Sequence, residues 1–127
     1  MSKAAMPALS ELENSIMTVI WEREEVTADL VRQELEPKQT LKDSTIRTIL
    51  RRLEVKGYVQ HKVNGRQYIY RPTVPSRKVA ADSVRSIIDR LCNGSVEDLL
   101  VGMVDSSVVT PEKLQELAKR IADAKSL

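Results

Sequence analysis

The chain has one cysteine, one histidine, four glycines, one tryptophan, three tyrosines and no phenylalanine. Each scarcity excludes something. A lone Cys92 forms no intrachain disulfide and no multi-cysteine metal site, and it fits a reducing compartment. Together with His61 it is still too few ligands to close a soft-metal site. Four glycines leave no loop rich enough to cradle a phosphate chain. No Ser/His/Asp or Cys/His arrangement for nucleophilic catalysis is present, so neither an enzyme nor a cofactor is expected. Aromatics at 3% make an aliphatic core the expectation. No run approaches the roughly 18 apolar residues that span a bilayer. The first residues, MSKAAMPALS, lack the apolar centre of a signal peptide. A cytoplasmic location without membrane insertion is the economical reading.

What is present is unevenly placed. The 127 residues are 42% apolar and 30% charged, as a globular chain is, and fit one small domain with an accessory region. The net charge is only +2, yet residues 1–41 carry −4 and residues 72–127 are neutral. Residues 42–71 hold eight Lys/Arg against Asp43 and Glu54, a net +6. A basic excess confined to one segment is an electrostatic footprint for phosphate.

Residues 1–9 read as a flexible arm. Ser10 opens S-E-L-E, a capping box with Glu13, and Leu12, Ile16, Val19 and Ile20 recur at helical spacing over 11–23, with Trp21 beside that stripe as a core residue. Thr27 caps a short second helix with Leu30, Val31 and Leu35 on its buried side. Pro37 stops it. Asp43 caps a third helix over 44–56, whose inner face is Ile46, Ile49, Leu50 and Leu53. Gly57 closes it. Two alternating segments, 58–63 and 66–71, meet at Asn64-Gly65, a strong hairpin signal. With those two residues at the turn, Val63 faces Arg66, His61 faces Tyr68 and Val59 faces Tyr70.

Helix, helix, basic helix, hairpin is the order of a winged helix-turn-helix, a fold that sets its third helix in the major groove of duplex DNA. The candidate DNA-binding residues are Ser44, Thr45, Arg47, Thr48, Arg51 and Arg52 on the exposed helix face, with Lys62 and Arg66 on the wing. His61 is either a phosphate-contacting wing residue or a strand residue beside Tyr68. Pro72 and Pro75 make 72–76 a linker between a DNA-binding domain (1–71) and a three-helix region (77–127). There Ala80, Val84, Ile87 and Leu91 form a two-heptad seam, followed by Leu99, Leu100 and Met103, then Leu114, Leu117 and Ile121. Some fifty residues bury such stripes poorly alone, so a homodimer reading a pseudo-palindrome is expected. The fold class is thus mainly α with a small β-hairpin: a winged domain plus a C-terminal helical dimerisation region. A winged helix that docks an acidic protein partner is the rival reading.

S-E-L-E-x-x-I-M-x-x-I-W at 10–21, S-T-I-R-T-I-L-R-R-L-E-V-K-G at 44–57, Y-I-Y at 68–70 and N-G-S-V-x-x-L-L at 93–100 together resemble the penicillinase-repressor (BlaI/MecI-type) family. The resemblance implies a dimeric repressor on dyad operators of β-lactamase-type or related resistance genes. It matches Thr45, Arg47 and Thr48 to recognition-helix positions. It further implies relief by proteolysis in the dimerisation region, triggered by a membrane sensor metallopeptidase. The family's scissile Asn-Phe pair falls on Gly102 and Met103, where this chain departs from the pattern. The cysteine cluster of copper-responsive relatives has no counterpart after Cys92.

Overall fold

The structure, a computed structural model, describes residues 6–125. In chain order it comprises α1 (Glu11–Arg23), α2 (Ala28–Leu35), α3 (Asp43–Val55), β1 (Val59–Asn64), β2 (Gln67–Pro72), α4 (Ser76–Leu91), α5 (Val96–Asp105) and α6 (Pro111–Lys125). The first five are the winged helix-turn-helix in its expected order. Two compact units divide between Ser83 and Val84, within α4. The first unit therefore runs past residues 72–76: the Trp21 indole N–H donates to the Val74 carbonyl (2.9 Å), and Val74 and Val79 pack on the core of that unit.

That core gathers one face from each element. Ile16, Met17, Val19 and Ile20 of α1 meet Ala28 and Val31 of α2 and Ile46, Ile49, Leu50 and Leu53 of α3. Leu12, Leu30 and Leu35 stand half-buried at its rim. The expectation of an aliphatic core needs correction, because Tyr58 and Tyr70 are buried beside Val26 and Val59. Two of the four aromatic residues thus close the core where the hairpin meets the helices. Each side chain buried there contributes about 1.5–3 kcal/mol.

The helix starts follow local chemistry. Ser10 and Glu13 form the full capping box, and the Thr27 hydroxyl accepts from the Leu30 N–H (3.2 Å). Asp43 does not cap α3. Lys42 holds the cap position without a side-chain bond, and Asp43, one residue inside the helix, takes the Arg47 guanidinium instead (2.7 Å).

The hairpin register also differs from the expected one. Asn64 pairs with Gln67, Val63 with Tyr68, His61 with Tyr70 and Val59 with Pro72. The turn is Gly65-Arg66, not Asn64-Gly65, because only Gly65 takes a positive φ (66°), the geometry of a turn with glycine at its first central position. Each partner moves by two residues, so Val59, His61 and Val63 still share a side with Tyr68 and Tyr70. A further tie was not foreseen. Val26, between α1 and α2, exchanges two hydrogen bonds with Tyr70 of β2 (2.9 and 2.8 Å). It anchors the wing to the helices.

Residues 1–5 of the expected arm lie outside the described residues. Met6 and Leu9 pack on the core, the Pro7 carbonyl accepts from the Tyr58 hydroxyl, and the Ala8 carbonyl accepts from the Lys56 ammonium (2.9 Å). Lys56 also pairs with Glu13 (2.7 Å), whose side chain is 1% exposed. The helices α4, α5 and α6 bury no residue.

Burial alone pushes the Glu13 carboxyl up, but Lys56 and the Ser10 backbone N–H outweigh it and hold it below the usual range. A depressed pKa gives stability that is present above the unfolded value and lost as pH falls through the folded one. Glu13→Gln should therefore destabilise the protein by about 2 kcal/mol at pH 7. In urea melts the deficit should shrink as pH drops below the ordinary value of 4.5. A deficit independent of pH would remove charge from the explanation.

Candidate nucleic-acid interface

The inner stripe of α3 is fully committed to the core, which leaves its opposite face to solvent. Ser44, Arg47, Thr48, Arg51 and Arg52 are exposed there, and Thr45 is half-buried. Some of these side chains already have partners. Arg47 Nε donates to Asp43 (2.7 Å) and the Thr48 hydroxyl donates to the Ser44 carbonyl of its own helix (2.9 Å). Lys62 on the wing stands 3.4 Å from Glu25. All are exposed contacts of small worth, so a phosphate or a base edge competes with them easily.

The structure brings three of the candidates together. A cavity of about 320 Å³ lies among the start of α2, the side of α3 and the wing, lined by Thr27, Ala28, Asp29, Arg47, Arg51, Arg66, Gln67, Tyr68 and Tyr70. Three arginines from α3 and the turn thus line one cleft beside the positive end of a helix dipole. Asp29 is its one acid, and it stands 3.8 Å from Arg32. Guanidinium groups present planar forks that match phosphate oxygens. Ser44, Thr45, Thr48, Arg52 and Lys62 do not line this cleft.

Thr27–Asp29, Gln67, Tyr68 and Tyr70 join the cleft although no sequence signal marked them for it. Thr27 is legible only as a helix cap; what places it beside the arginines is the Val26–Tyr70 bridge, a contact with no local signature. Burial pushes the Tyr70 phenol up, with Glu54 adding to the shift, so this residue of the cleft lining stays neutral. His61 is a strand residue beside Tyr68, as one of the two readings had it. It stacks on Tyr68 with ring centroids 4.2 Å apart and planes 7° from parallel, and its Nδ1 lies 2.7 and 2.8 Å from the two Glu54 oxygens.

The candidate dimerisation residues of α4–α6 fall into two sets. Leu99, Met103, Leu114 and Leu117 are half-buried, whereas Ala80, Val84, Ile87, Leu91, Leu100 and Ile121 are exposed. Leu91 is 71% and Ile121 56% exposed, and Val96, Val101 and Val108, absent from the expected set, join them. Gly102 and Met103 lie within α5. No group of three or more potential metal ligands occurs among the described residues, and no helix there is long and apolar enough to cross a membrane.

The sequence profile of one family, described as penicillinase repressor, matches residues 9–123. A penicillinase repressor of Bacillus licheniformis is 26% identical over 121 residues, 95% of this chain and 94% of its own length. The methicillin resistance regulatory protein MecI of Staphylococcus aureus is 22% identical over 109 residues, 86% and 89% of the two chains. The solved DNA-binding domain of the repressor BlaI is similar over 58% of this chain and 88% of its own, with 35% identity and a TM-score of 0.50.

If the exposed face of α3 meets phosphate as its charge implies, releasing Arg47 should strengthen it. Asp43→Asn should change folding stability by less than about 1 kcal/mol, since the pair is exposed. It should tighten low-salt binding to mixed-sequence duplex in fluorescence anisotropy. Weaker binding would show that Asp43 orients Arg47 rather than restraining it.

Proposed function

The chain belongs to the penicillinase repressor family, and from that membership we propose that it is a dimeric, sequence-specific transcriptional repressor of pseudo-palindromic operators in the cytoplasm. The observation that carries this reading is the convergence of Arg47, Arg51 and Arg66 on one cleft beside the solvent face of α3. In the proposed complex α3 enters the major groove. Its short polar side chains, Ser44, Thr45 and Thr48, meet base edges, while Arg47 and Arg51 reach guanines or phosphates. Arg52, Lys62 and Arg66 neutralise backbone charge and release condensed counterions, so affinity falls steeply with salt.

The exposed apolar residues of α4–α6 support pairing with a second copy. Two joined reading heads turn two weak half-site contacts into one strong one through effective concentration. Bound at a promoter, such a dimer blocks transcription by occupying the site. The names of the relatives support β-lactamase-type or related resistance genes as targets. Relief by a membrane sensor metallopeptidase cutting in the C-terminal region fits Gly102, because a mid-helix glycine weakens α5 by about 1 kcal/mol relative to alanine. Local opening is what a protease requires.

The test is selection of duplex fragments from mixed genomic DNA followed by salt titration. Sequence-selective complexes that weaken with salt support the repressor; no selectivity, with capture of an acidic protein instead, supports the docking module. Arg47→Ala should weaken the selected complex by about 1–3 kcal/mol if it reads a base. An equal loss on random duplex assigns Arg47 to phosphate. Ile87→Asp should give monomers in analytical ultracentrifugation and lose most operator affinity, and a surviving dimer would displace the proposed interface.

A further inference from the structure

An isolated two-stranded hairpin is marginal in water, so the direction of this wing must come from its ties to the helices. Its base is well held. Val26 bridges Tyr70, Tyr58 and Val59 are buried, and the Thr73 hydroxyl donates to the Gly57 carbonyl. Gly57, at φ 91°, is the joint between α3 and β1, and glycine is the residue that resists bending there least. Beyond the base, two polar side-chain ties join residues 61–69 to residues outside the hairpin, among those described. Lys62–Glu25 is an ion pair at 3.4 Å with both side chains more than half exposed, and is weak and screened. The other is His61.

His61 works in two directions. Its Nδ1–H donates to the Glu54 carboxylate of α3, shared between oxygens at 2.7 and 2.8 Å. Its ring lies flat on Tyr68 of β2 (4.2 Å, 7°) and tilts against Tyr70 at 5.5 Å. Tyr68 and Tyr70 in turn line the same cleft as Arg47, Arg51 and Arg66. A hydrogen bond to an ionised acceptor is stronger than a neutral one, and a stacked ring fixes orientation as well as distance. Glu54 is otherwise out of place: it is the only acid between Asp43 and the end of the hairpin in the most basic segment of the chain.

We propose that Glu54, His61 and Tyr68 form a positioning bracket that sets the angle of the wing on α3, and with it the spacing of Arg66 from Arg47 and Arg51 across the cleft. The bracket deepens the repressor reading and rests on it for its consequence in binding. Its effect on the free protein does not.

Two signs separate the bracket from its alternatives. Removing an acid from a basic face should tighten duplex binding by charge alone, whereas the bracket requires Glu54→Ala to weaken it. On a duplex that the wild-type chain selects from genomic fragments, Glu54→Ala and His61→Ala should each lose about tenfold in affinity, the size of a typical coupling. Either change should also abolish most of the further loss caused by Arg66→Ala. Glu54→Gln, whose amide oxygen still accepts from Nδ1–H, should retain affinity. Tighter binding by Glu54→Ala, or full additivity with Arg66→Ala, overturns the bracket. In the free protein, residual dipolar couplings should show the wing amides of Glu54→Ala and His61→Ala reoriented or averaged relative to α3, with α1 and α2 unchanged. Wing couplings identical to wild type in both variants overturn the bracket whatever the DNA result. A wild-type chain that selects no duplex, with the couplings changed as expected, sinks the repressor reading and leaves the bracket standing.

Discussion

Glu13 is a carboxylate taken out of water, and such a group has to be held by donors or it does not stay charged. Its partners come from separate places in the chain. The Ser10 backbone N–H donates to it at the start of α1, and the Lys56 ammonium reaches it from the end of α3. Because Lys56 also donates to the Ala8 carbonyl, the incoming chain, the first helix and the basic helix are locked at one point. One carboxyl oxygen of Glu13 has no hydrogen-bond partner among the described residues, so the remaining bonds matter more. The exposed face of α3 can point outward in one direction because its rear end is pinned there and its inner stripe is buried.

From that pin the rest of the reading head follows as a sequence of shorter constraints. Lys56 is succeeded by Gly57, whose left-handed backbone turns the chain into β1. Tyr58 is then buried and bonded to Pro7. The hairpin returns through Gly65 so that Tyr70 can enter the core and pair with Val26. Each step puts a basic side chain beside another: Arg47 and Arg51 on the helix, Arg66 at the turn. The acids in the neighbourhood are structural partners. Asp43 holds Arg47, Glu25 stands by Lys62 and Glu54 holds His61.

The second unit is organised on the opposite principle. Its helices start with clear caps, Ser95 on Asp98 and Thr110 on Lys113. They nevertheless leave Leu91, Val96, Val101, Val108 and Ile121 more than half exposed. A helix stripe stabilises only when it is covered. In the first unit each stripe finds cover within the chain, and in α4–α6 the covering is incomplete.

Local chemistry was legible in the amino-acid order because its partners lie three or four residues apart. The capping box at Ser10, the cap at Thr27, the inner stripe of α3 and the existence of a glycine-turned hairpin were all of this kind, and so was the +6 segment. What escaped was set by distant partners. Asp43 left the cap for Arg47. The turn moved to Gly65-Arg66, where the register sets Val63 opposite Tyr68 and His61 opposite Tyr70. Two tyrosines entered a core expected to be aliphatic. Thr27 reached the arginine cleft only through Val26, and His61 found its role only through Glu54. Sequence alone determined which segments become helix or hairpin and where the positive charge lies, because hydrogen bonding and periodicity act over a few residues. Tertiary structure alone decided which charges converge and at what angle the wing stands, because those depend on contacts between residues far apart in the chain.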